Sequence, residues 1–468
     1  MPPTPPHDHQ DNAQLPVIVI GAGPVGLAAA AHLRERGLSP LVLEAGHTPG
    51  AAGKTWGHTR LFSPWRYNID DAARRLLEQA SWQAPDPDQL PTGHELVDEY
   101  LHPLARELGD TVRTDAHVMA VSRAGIDKTR SHTRVNTPLL VRVQHGDGTV
   151  EDLRAHSVLD ASGTWSQPNP LGHSGLLVPG EETAKANGLI TTPLPDVLGT
   201  DQERFSNRRV LVVGAGHSAA NTLLDLAELA NNAPDTRIHW AVRGAEVSKV
   251  YGGEAHDELA ARGALGTRLR RLVESGAVEL HTQFMVTRFD TGTPTVTVHA
   301  DTPAGVRRLR VDVVIAATGF RPELQMLSEL RLELDPAVEA PRELGPMINP
   351  EFHSCGSVEP HGERILAHPE PGFYIVGMKS YGRAPTFLMA TGYEQVRSIA
   401  AALAGDRAAA DDVQLELPET GVCSANFGET VAVAASTSSQ IRLVSQGCCT
   451  ATQQAAPGAI PLRTTECC

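Results

Sequence analysis

The stretch that decides the fold reads Val17-Ile-Val-Ile-Gly21-Ala-Gly23-Pro-Val-Gly26, and an Ala/Leu-rich run follows from Leu27. An apolar strand, a glycine turn and a helix in this order are typical of a dinucleotide-binding βαβ unit. In such a unit Gly21 permits the tight turn, Gly23 lets the backbone approach a pyrophosphate, and Gly26 lets helix and strand pack closely. The helix N-terminus then faces the phosphate charge. The stretch therefore predicts a Rossmann-type domain that binds a dinucleotide.

An acid follows where such a unit holds its ribose. The pattern Leu41-Val-Leu-Glu44 predicts the second strand, and Glu44 stands 18 residues after Gly26. A carboxylate at the tip of the second strand accepts hydrogen bonds from ribose hydroxyls. This full context makes a glycine turn without a ligand the weaker interpretation.

A second turn of the same kind appears as Val-Leu-Val-Val-Gly214-Ala-Gly216-His217-Ser218-Ala219. Gly214 and Gly216 fill the first two glycine roles, and Ala219 fills the third. His217 and Ser218 lie at the helix start, where they can donate hydrogen bonds to phosphate oxygens. One such turn is weak evidence, but two of them suggest two nucleotides in one protein, usually a flavin near a nicotinamide.

The second unit ends its own second strand in a cation. The sequence Ile238-His-Trp-Ala-Val-Arg243 carries an arginine where the first unit carries Glu44. An acid at this place repels a 2′-phosphate, whereas an arginine pairs with it. We therefore predict NADPH rather than NADH in the second site, with a solvated surface charge as the alternative interpretation of Arg243.

Charge and hydropathy restrict the partners. The 468 residues include 40 Lys plus Arg against 55 Asp plus Glu, a formal charge of −15. That balance argues against nucleic acid or an anionic membrane as partner, because both need a basic face. No apolar run approaches the roughly 20 residues of a membrane span, and the polar, Pro-rich N-terminus is not a signal peptide. We expect a cytoplasmic protein that acts on a small molecule.

The organisation that we expect is α/β, with two Rossmann-type (doubly wound) domains. The resemblance of the two glycine turns to those of the two-dinucleotide-binding-domain flavoproteins implies that the NADPH domain is inserted in a discontinuous FAD domain. After about residue 410 the composition turns to Ser, Thr, Gln, Ala and Cys without a helical or strand period, which is typical of disorder. The predicted segments are a disordered N-terminal tail at 1–14, the first part of the FAD domain at 15–165, a connector at 166–207, the NADPH domain at 208–320, the second part of the FAD domain at 321–408 and a low-complexity C-terminal tail at 409–468.

Periodicity within these segments predicts the individual elements. Helices are expected after the two glycine turns and at about 70–80, 266–275 and 389–404. Strands are expected at 16–20, 41–44, 138–144, 149–160, 210–213, 238–243 and 373–376, and in the stretches 278–300 and 309–317.

Over about residues 15–408 these motifs resemble the two-dinucleotide-binding-domain flavoproteins and, within them, the flavin-containing monooxygenase-like branch. Gly53-Lys-Thr-Trp56 is similar to the family's Gly-Gly-x-Trp, and Ala317-Thr-Gly319 is similar to its crossover. The resemblance implies FAD in the first site, NADPH in the second, Trp56 near the flavin, and residues 160–163 and 317–319 as the two passages between domains. A core aromatic is the alternative for Trp56. The residues expected to bind the cofactors are Gly21, Gly23, Pro24, Gly26, Glu44, Trp56, Gly163, Gly214, Gly216, His217, Ser218, Ala219, Arg243, Thr318, Gly319 and Gly377.

Two absences favour oxygen chemistry over disulfide reduction. In disulfide-reductase relatives, Gly-Asp follows the strand that corresponds to 373–376, whereas here that strand is followed by Gly377 and Met378. The chain also has no Cys-x-x-Cys or Cys-x-x-x-x-Cys pair, although a disulfide reductase needs two thiols at the flavin.

Two departures from the monooxygenase motifs weigh against oxygen chemistry. Residues 166–207 lack the Phe-x-Gly-x-x-x-His-x-x-x-Trp signature of Baeyer–Villiger monooxygenases, and no motif identifies Asn68 as the asparagine of flavin monooxygenases.

The resemblance implies an NADPH-dependent monooxygenase. NADPH would reduce the flavin, O2 would form a C4a-peroxyflavin, and one oxygen atom would pass to sulfur, nitrogen or a trivalent metalloid. The cofactor carries this chemistry, so no catalytic acid or base is singled out. Some bacterial flavoproteins of similar sequence are associated with arsenic resistance, which is family-level analogy, and a homodimer is a family expectation.

The tail cysteines support an alternative. Five of the six cysteines follow residue 420, among them the vicinal pairs Cys448-Cys449 and Cys467-Cys468. Vicinal thiolates bind soft ions such as As(III) or Hg(II), and mercuric reductase uses a C-terminal pair, but together with a second pair near its flavin that this chain lacks. The alternatives are an NADPH-dependent thiol or metalloid reductase, thiols that are incidental, and a non-enzymatic redox sensor that binds FAD and NADPH. Apart from these thiols we expect no metal ligands.

Overall fold

Each glycine turn lies between a strand of a parallel sheet and the helix that follows it. The computed structural model describes residues 15–251, 260–292, 294–351, 358–385 and 387–415. The strands in chain order are β1 (Val17–Ile20), β2 (Pro40–Leu43), β3 (Val112–Arg113), β4 (Ala116–Arg123), β5 (Leu139–His145), β6 (Val150–Ala155), β7 (Ser157–Asp160), β8 (Ile190–Thr191), β9 (Arg209–Val213), β10 (Arg237–Ala241), β11 (Val278–His281), β12 (Met285–Thr291), β13 (Val296–Thr302), β14 (Gly305–Val311), β15 (Val313–Ala316) and β16 (Phe373–Ile375).

The helices alternate with these strands, as expected of βαβ units. In chain order they are α1 (Pro24–Glu35), α2 (Ala51–Thr55), α3 (Trp65–Asn68), α4 (Asp71–Gln79), α5 (Gly93–Glu95), α6 (His102–Leu108), α7 (Glu181–Ala186), α8 (Gln202–Phe205), α9 (His217–Asn232), α10 (Ala260–Glu274), α11 (Gly345–Ile348), α12 (Glu363–Leu366), α13 (Met389–Leu403) and α14 (Arg407–Asp411). No helix of the described ranges is both long and apolar enough to cross a membrane.

The first sheet has the order β16-β7-β1-β2-β3, with all pairs parallel. Its central strand β1 is buried on both faces, which explains the continuous apolar run in the sequence. Val17 and Val19 pack with the helices α1, α4, α6 and α13. Ile18 and Ile20 face the opposite way and pack against the antiparallel sheet β4-β5-β6. The first sheet is thus a layer between helices and a small antiparallel sheet.

The second sheet repeats this plan with the order β11-β10-β9-β15-β8, again all parallel. Val210 and Val212 of β9 pack in the core that includes α9 and α10. Leu211 and Val213 pack on the other face with the antiparallel sheet β12-β13-β14. The prediction of an α/β protein with two Rossmann-type sheets is confirmed. The strand β16 shows that the first sheet is completed by residues after 320, which we call the late segment.

The two passages between these sheets run side by side. Pro168 forms an antiparallel bridge with Phe320, and the N–H of Asn169 donates to the carbonyl oxygen of Gly319 at 2.9 Å. The rings of Trp165 and Phe320 lie 4.8 Å apart. The chain therefore leaves the first sheet and returns to it through one two-stranded connection.

Three local expectations differ from the structure. The strand expected at 149–160 is two strands, because the chain passes at His156 from β6 in the antiparallel sheet to β7 in the first sheet. Residues 166–207, interpreted as a connector, contain α7, β8 and α8, and β8 pairs with β15 in the second sheet. β4 was not expected. The N-terminal tail and residues 416–468 of the C-terminal tail lie outside the described residues.

Candidate nucleotide-binding sites

The three glycines of the first turn differ in how much space a side chain would have. Gly21 has φ +97°, and a Cβ there would lie 2.8 Å from the carbonyl oxygen of Ala161. A Cβ at Gly26 would lie 1.9 Å from the carbonyl oxygen of Gly21, so α1 can approach β1 only without a side chain. A Cβ at Gly23 would meet no described atom within 4 Å. Gly21 and Gly26 therefore serve the fold, whereas Gly23 leaves space in front of the α1 N-terminus, beside Pro24.

The Glu44 carboxylate is fixed at the mouth of this turn. Its Oε2 accepts a hydrogen bond from the Ala22 N–H at 2.7 Å, and its Oε1 accepts one from the Gly46 N–H at 2.8 Å. The residue follows β2 directly and is half-buried. A carboxylate has about four acceptor positions, so capacity for ribose hydroxyls is left beside the turn.

Gly377 comes close to the same turn from the late segment. It has φ +66°, and a Cβ there would lie 3.3 Å from the Val25 side chain in the first turn of α1. Its N–H donates to Gln395 Oε1 at 2.8 Å. A Cβ at Gly392 of α13 would lie 2.5 Å from Val25 as well. The N-terminal turns of α1 and α13 thus meet beside Gly377, and both direct positive dipole ends to this region.

A buried ion pair lies at the carboxyl edge of the first sheet and was missed from the sequence. Lys379 and Asp160 are both fully buried, with Nζ 2.6 Å from Oδ2. Nζ also lies 3.1 Å from Ser162 Oγ, and Ser162 donates to Asp160 Oδ1 from its backbone N–H at 3.1 Å and from its hydroxyl at 2.6 Å. The sequence offered one signal: a lysine directly after Gly377-Met378, the place where the disulfide-reductase branch carries Gly-Asp. Gly163, with φ +70°, follows this group directly.

Trp56 lies at the margin of the first core. It ends α2 and is partly buried against the helical side of the first sheet. A Cβ at Gly93 would lie 2.7 Å from its ring, and one at Gly53 would lie 3.8 Å away. Gly93 therefore makes room for the indole, whereas a Cβ at Gly53 would be in ordinary contact with it. Packing is thus established for Trp56, and its place near a flavin stays a prediction.

The second turn repeats the geometry of the first. Gly214 has φ +142°, and a Cβ there would lie 1.9 Å from the carbonyl oxygen of Ala317. A Cβ at Gly216 would meet no described atom within 4 Å. Ala219 is fully buried where α9 crosses β9. The Trp240 indole N–H donates to the Gly214 carbonyl oxygen at 2.7 Å and holds the turn.

The polar residues of the second turn lie where the sequence placed them. His217 and Ser218 form the first turn of α9. The His217 ring lies 5.0 Å from the ring of Phe62, which belongs to the loop that follows Trp56. Arg243 is exposed beyond the end of β10, with Nη1 3.4 Å from the carbonyl oxygen of His173. Its pairing with a 2′-phosphate stays a prediction.

Thr318 and Gly319 lie in the double passage between the sheets. The Thr318 hydroxyl donates to the carbonyl oxygen of Asn169 at 2.7 Å. The Asn169 amide donates in return to the carbonyl oxygens of Thr318 and Phe320, each at 3.2 Å. Gly319 has φ +80°. The structure therefore gives Thr318 a role in joining the passages, and it adds Asn169, which no sequence motif had indicated.

The described residues contain no cysteine. The six cysteines of the sequence are Cys355, Cys423, Cys448, Cys449, Cys467 and Cys468, and all of them lie outside the described ranges. The prediction of soft-metal binding by the two vicinal pairs therefore concerns residues of which the structure says nothing.

The two turns fit the two expected cofactors by an independent geometric test. In each, the middle glycine faces open space in front of a helix N-terminus, while a Cβ at the first glycine, and in the first turn also at Gly26, would meet backbone. A pyrophosphate needs such space and such a helix end. The acid Glu44 at one strand tip and the cation Arg243 at the other fit a free ribose and a 2′-phosphorylated ribose.

Comparison with known proteins agrees with this geometry. A family model described as pyridine nucleotide-disulphide oxidoreductase matches residues 18–351. Among curated proteins, the indole-3-pyruvate monooxygenase YUCCA8 of Oryza sativa subsp. indica is 30% identical over 217 residues, covering 45% of this chain and 45% of the relative. The chain thus spans about half the length of the curated relatives that it matches first.

Two solved structures share the fold over most of the chain. Bacillithiol disulfide reductase Bdr (YpdA) from Bacillus cereus has a TM-score of 0.62 at 21% identity, covering 84% of this chain and 99% of that one. The cadaverine monooxygenase DfoA from Erwinia amylovora, solved with bound FAD, has a TM-score of 0.60 at 14% identity, covering 86% and 98%. At these identities the similarity establishes the fold alone, and the two proteins catalyse different reactions.

Proposed function

The chain belongs to the pyridine nucleotide-disulphide oxidoreductase family of flavin-dependent enzymes, and on that premise we propose that it is an NADPH-dependent FAD monooxygenase. It would transfer one oxygen atom from O2 to a soft nucleophile, namely sulfur, nitrogen or a trivalent metalloid. The small-molecule substrate and O2 are the partners that this reaction needs. When bound, FAD supplies hydride acceptance and oxygen activation, and the protein supplies binding, orientation and exclusion of water.

The observation that carries the proposal is the position of the cysteines. Disulfide reduction at a flavin requires thiols that reach it. No cysteine occurs in 15–165, where the first glycine turn and Glu44 lie, or anywhere else in the described ranges. Met378 also stands where the disulfide-reductase branch carries an aspartate. Oxygen transfer needs neither group, because its oxidant is O2.

The residues of the first site would bind and orient the flavin cofactor. Gly23 and the α1 N-terminus would face its pyrophosphate, and Glu44 would accept from its ribose. Gly377 lies against Val25 in the same first turn, so the late segment would border the cofactor on the side where α13 begins. The buried ion pair of Lys379 and Asp160 ties that border to the end of β7.

The residues of the second site would bind and select NADPH. Gly216 and the α9 N-terminus would face the pyrophosphate, with His217 and Ser218 as donors, and Arg243 would pair with the 2′-phosphate. Phe62 contacts His217, so the loop after Trp56 borders this site. Hydride transfer requires the two rings to meet, and with Trp56 beside the flavin this loop would border both sites and exclude water there.

The test separates oxygen transfer from disulfide reduction with one variant. In the full chain all six cysteines are replaced by serine, and the FAD-loaded protein is assayed with NADPH for O2 consumption, H2O2 release and product. The probes are methyl phenyl sulfide, N,N-dimethylaniline, arsenite and, for the reductase, glutathione disulfide. We expect oxygenated product from at least one nucleophile, at the same rate in the cysteine-free variant.

Two results would overturn the proposal. One is disulfide reduction that disappears in the cysteine-free variant, with no oxygenated product in either protein. The other is a purified chain that takes up no FAD, because every step requires the flavin. Wild-type protein treated in parallel controls for loss of fold, with FAD absorbance per chain as the measure.

A thiol or metalloid reductase is the second candidate. It is favoured by the structural similarity to bacillithiol disulfide reductase over 84% of this chain. It requires the cysteines outside the described residues to reach the flavin. Replacing only Cys448, Cys449, Cys467 and Cys468 by serine should then abolish NADPH oxidation that depends on arsenite or disulfide, and should leave the monooxygenase reaction unchanged.

A further inference from the structure

Two histidines and a glutamate meet on the outer pair of strands of the second sheet. The register pairs His239 of β10 with Glu279 of β11, and His281 lies two residues further along β11 on the same face. Side chains two residues apart on a strand share a face, and so do directly paired neighbours. The pairing of β10 with the edge strand β11 thus brings three side chains that can ligate a metal together, separate from the glycine turn.

The separations of the three groups suit one small cation. His239 Nδ1 lies 3.2 Å from His281 Nε2 and 3.2 Å from Glu279 Oε2, and His281 Nε2 lies 3.6 Å from Glu279 Oε1. Ligand atoms about 2.0–2.1 Å from a tetrahedral zinc are roughly 3.3 Å apart. An ion that touches all three groups therefore needs only small side-chain adjustments.

The surroundings hold the groups in place. The side chain of His281 is 1% exposed and that of His239 is 13% exposed, whereas Glu279 is 56% exposed. Phe284 packs against the His281 ring at 5.7 Å, and Arg307 Nη2 lies 3.2 Å from Glu279 Oε1. Hydrogen bonds to a ligating carboxylate and packing against a ligating ring are the support that metal ligands commonly have. The exposed side at Glu279 leaves access for the ion and for water as a fourth ligand.

We propose that His239, Glu279 and His281 form a site for a divalent borderline cation, with Zn²⁺ as the ion that the donor set and spacing fit. Two imidazoles, one carboxylate and a water are a known zinc ligand set. The bound ion would fasten the edge strand β11 to β10, the strand that leads to Arg243. The proposal does not depend on the proposed reaction, because none of its ligands belongs to either glycine turn.

The test measures zinc binding by the FAD-loaded full chain in a background that lacks competing thiols. All six cysteines are replaced by serine, metal is removed with EDTA, and Zn²⁺ is returned under competition with a chromophoric chelator. We expect one Zn²⁺ per chain by elemental analysis. Glu279→Gln and His239→Gln should each weaken binding by at least about tenfold, and Co²⁺ should give visible absorption bands that both variants lose.

The matched control is His299→Gln in the same domain. His299 Nε2 lies 2.7 Å from Asp290 Oδ2 but belongs to no cluster of three ligands among the described residues, so this variant should bind zinc like its parent. The alternative for the same geometry is a plain hydrogen bond between the two imidazoles. Zinc that the parent does not retain would favour that alternative, and zinc that all three variants retain equally would show that it is bound elsewhere; either result would overturn the proposal. FAD content and melting temperature in EDTA show whether each variant is folded.

Discussion

At the scale of single residues, the ion pair of Lys379 with Asp160 is a costly arrangement. Both side chains are 0% exposed, and removal of two charges from water costs several kcal/mol per ion unless partners replace the water. Here Ser162 supplies two further hydrogen bonds to the carboxylate. The pair joins the end of β7 to the 3-10 turn Gly377–Tyr381, so it fixes the late segment on the first sheet.

Replacing Lys379 by methionine should therefore destabilise the protein markedly. The variant leaves the Asp160 carboxylate buried without its cation, and such a loss costs on the order of 3–5 kcal/mol. The measurement is chemical unfolding followed by tryptophan fluorescence. The double variant Lys379→Met with Asp160→Asn should recover part of the loss, because no unpaired charge remains. Equal stability of the single variant and wild type would contradict this account.

Arg243→Ala should change the preference between the two pyridine nucleotides. A charge-assisted contact with a 2′-phosphate is worth about 1.5–3 kcal/mol, so kcat/KM for NADPH should fall by roughly 10- to 100-fold while that for NADH changes little. The matched control is Arg237→Ala, at the opposite end of β10, where the guanidinium donates to the carbonyl oxygens of Pro234 and Thr236. An unchanged NADPH-to-NADH ratio in Arg243→Ala would exclude the residue from specificity.

At the scale of elements, the glycine turn before α1 separates a folding function from a binding function. Gly26 is closed by the backbone of Gly21, whereas Gly23 faces open space. The two positions lie three residues apart on one turn, so they can be compared under the same conditions. The same contrast holds between Gly214 and Gly216 in the second turn.

Gly23→Ala and Gly26→Ala should consequently fail in different ways. A Cβ at Gly23 meets no described atom, so the melting temperature without flavin should stay near that of wild type while FAD affinity falls at least about tenfold, because the methyl group takes pyrophosphate space. Gly26→Ala should lower the stability of the flavin-free protein by a few kcal/mol, since α1 must move away from β1. Tight FAD binding by Gly23→Ala would show that the pyrophosphate lies elsewhere.

The sequence was informative wherever function and fold use a local pattern. Both glycine turns, Glu44 and Arg243 lie on contiguous strand–turn–helix segments, so spacing alone could find them. The break at His156 was missed because no glycine or proline separates β6 from β7 in the sequence, although the two strands join different sheets. Lys379 and Asp160 were missed because they are 219 residues apart and meet only in the folded sheet.

At the scale of the whole molecule, distant segments are tied by buried charge. The Glu370 carboxylate is fully buried and accepts from Arg123 Nε at 2.7 Å and from Arg134 Nη2 at 2.6 Å. It also accepts from the Arg331 N–H at 3.0 Å. These hydrogen bonds join β4, the loop before β5 and the late segment before β16. Burial raises the pKa of Glu370, but the arginine partners outweigh it and the pKa is lowered.

We expect one buried histidine, His368, to make the stability of the protein sensitive to acid. Burial lowers the pKa of His368 to about 4 from 6.5, and its ring accepts a hydrogen bond from the Glu333 N–H at 3.3 Å. The unfolded state therefore binds a proton more readily between these values, so this contribution is present above about pH 6.5 and is lost as the pH falls towards 4. We expect a loss on the order of 3 kcal/mol from this residue.

The measurement is the melting temperature of wild type and His368→Gln at several pH values from 7.5 to 4. Glutamine keeps an acceptor for the Glu333 N–H but does not titrate, so the variant should lose less stability on acidification than wild type. His117→Gln, at an exposed position on β4, is the control and should follow wild type. Parallel acid profiles for wild type and His368→Gln would refute the assignment.

The side-by-side passages, bridged at Pro168 and Phe320, also bear on how this architecture can be built and altered. Every strand of the first sheet, from β1 to β16, lies outside the stretch between these two residues. The ends of that stretch are neighbours, which is the condition under which an inserted domain is tolerated. The nicotinamide-binding domain is thus inserted into the other domain at a single point where the chain leaves and returns. Replacing the inserted domain by a short Gly/Ser linker removes no strand of the first sheet. Another domain whose termini lie close together could be inserted at the same point.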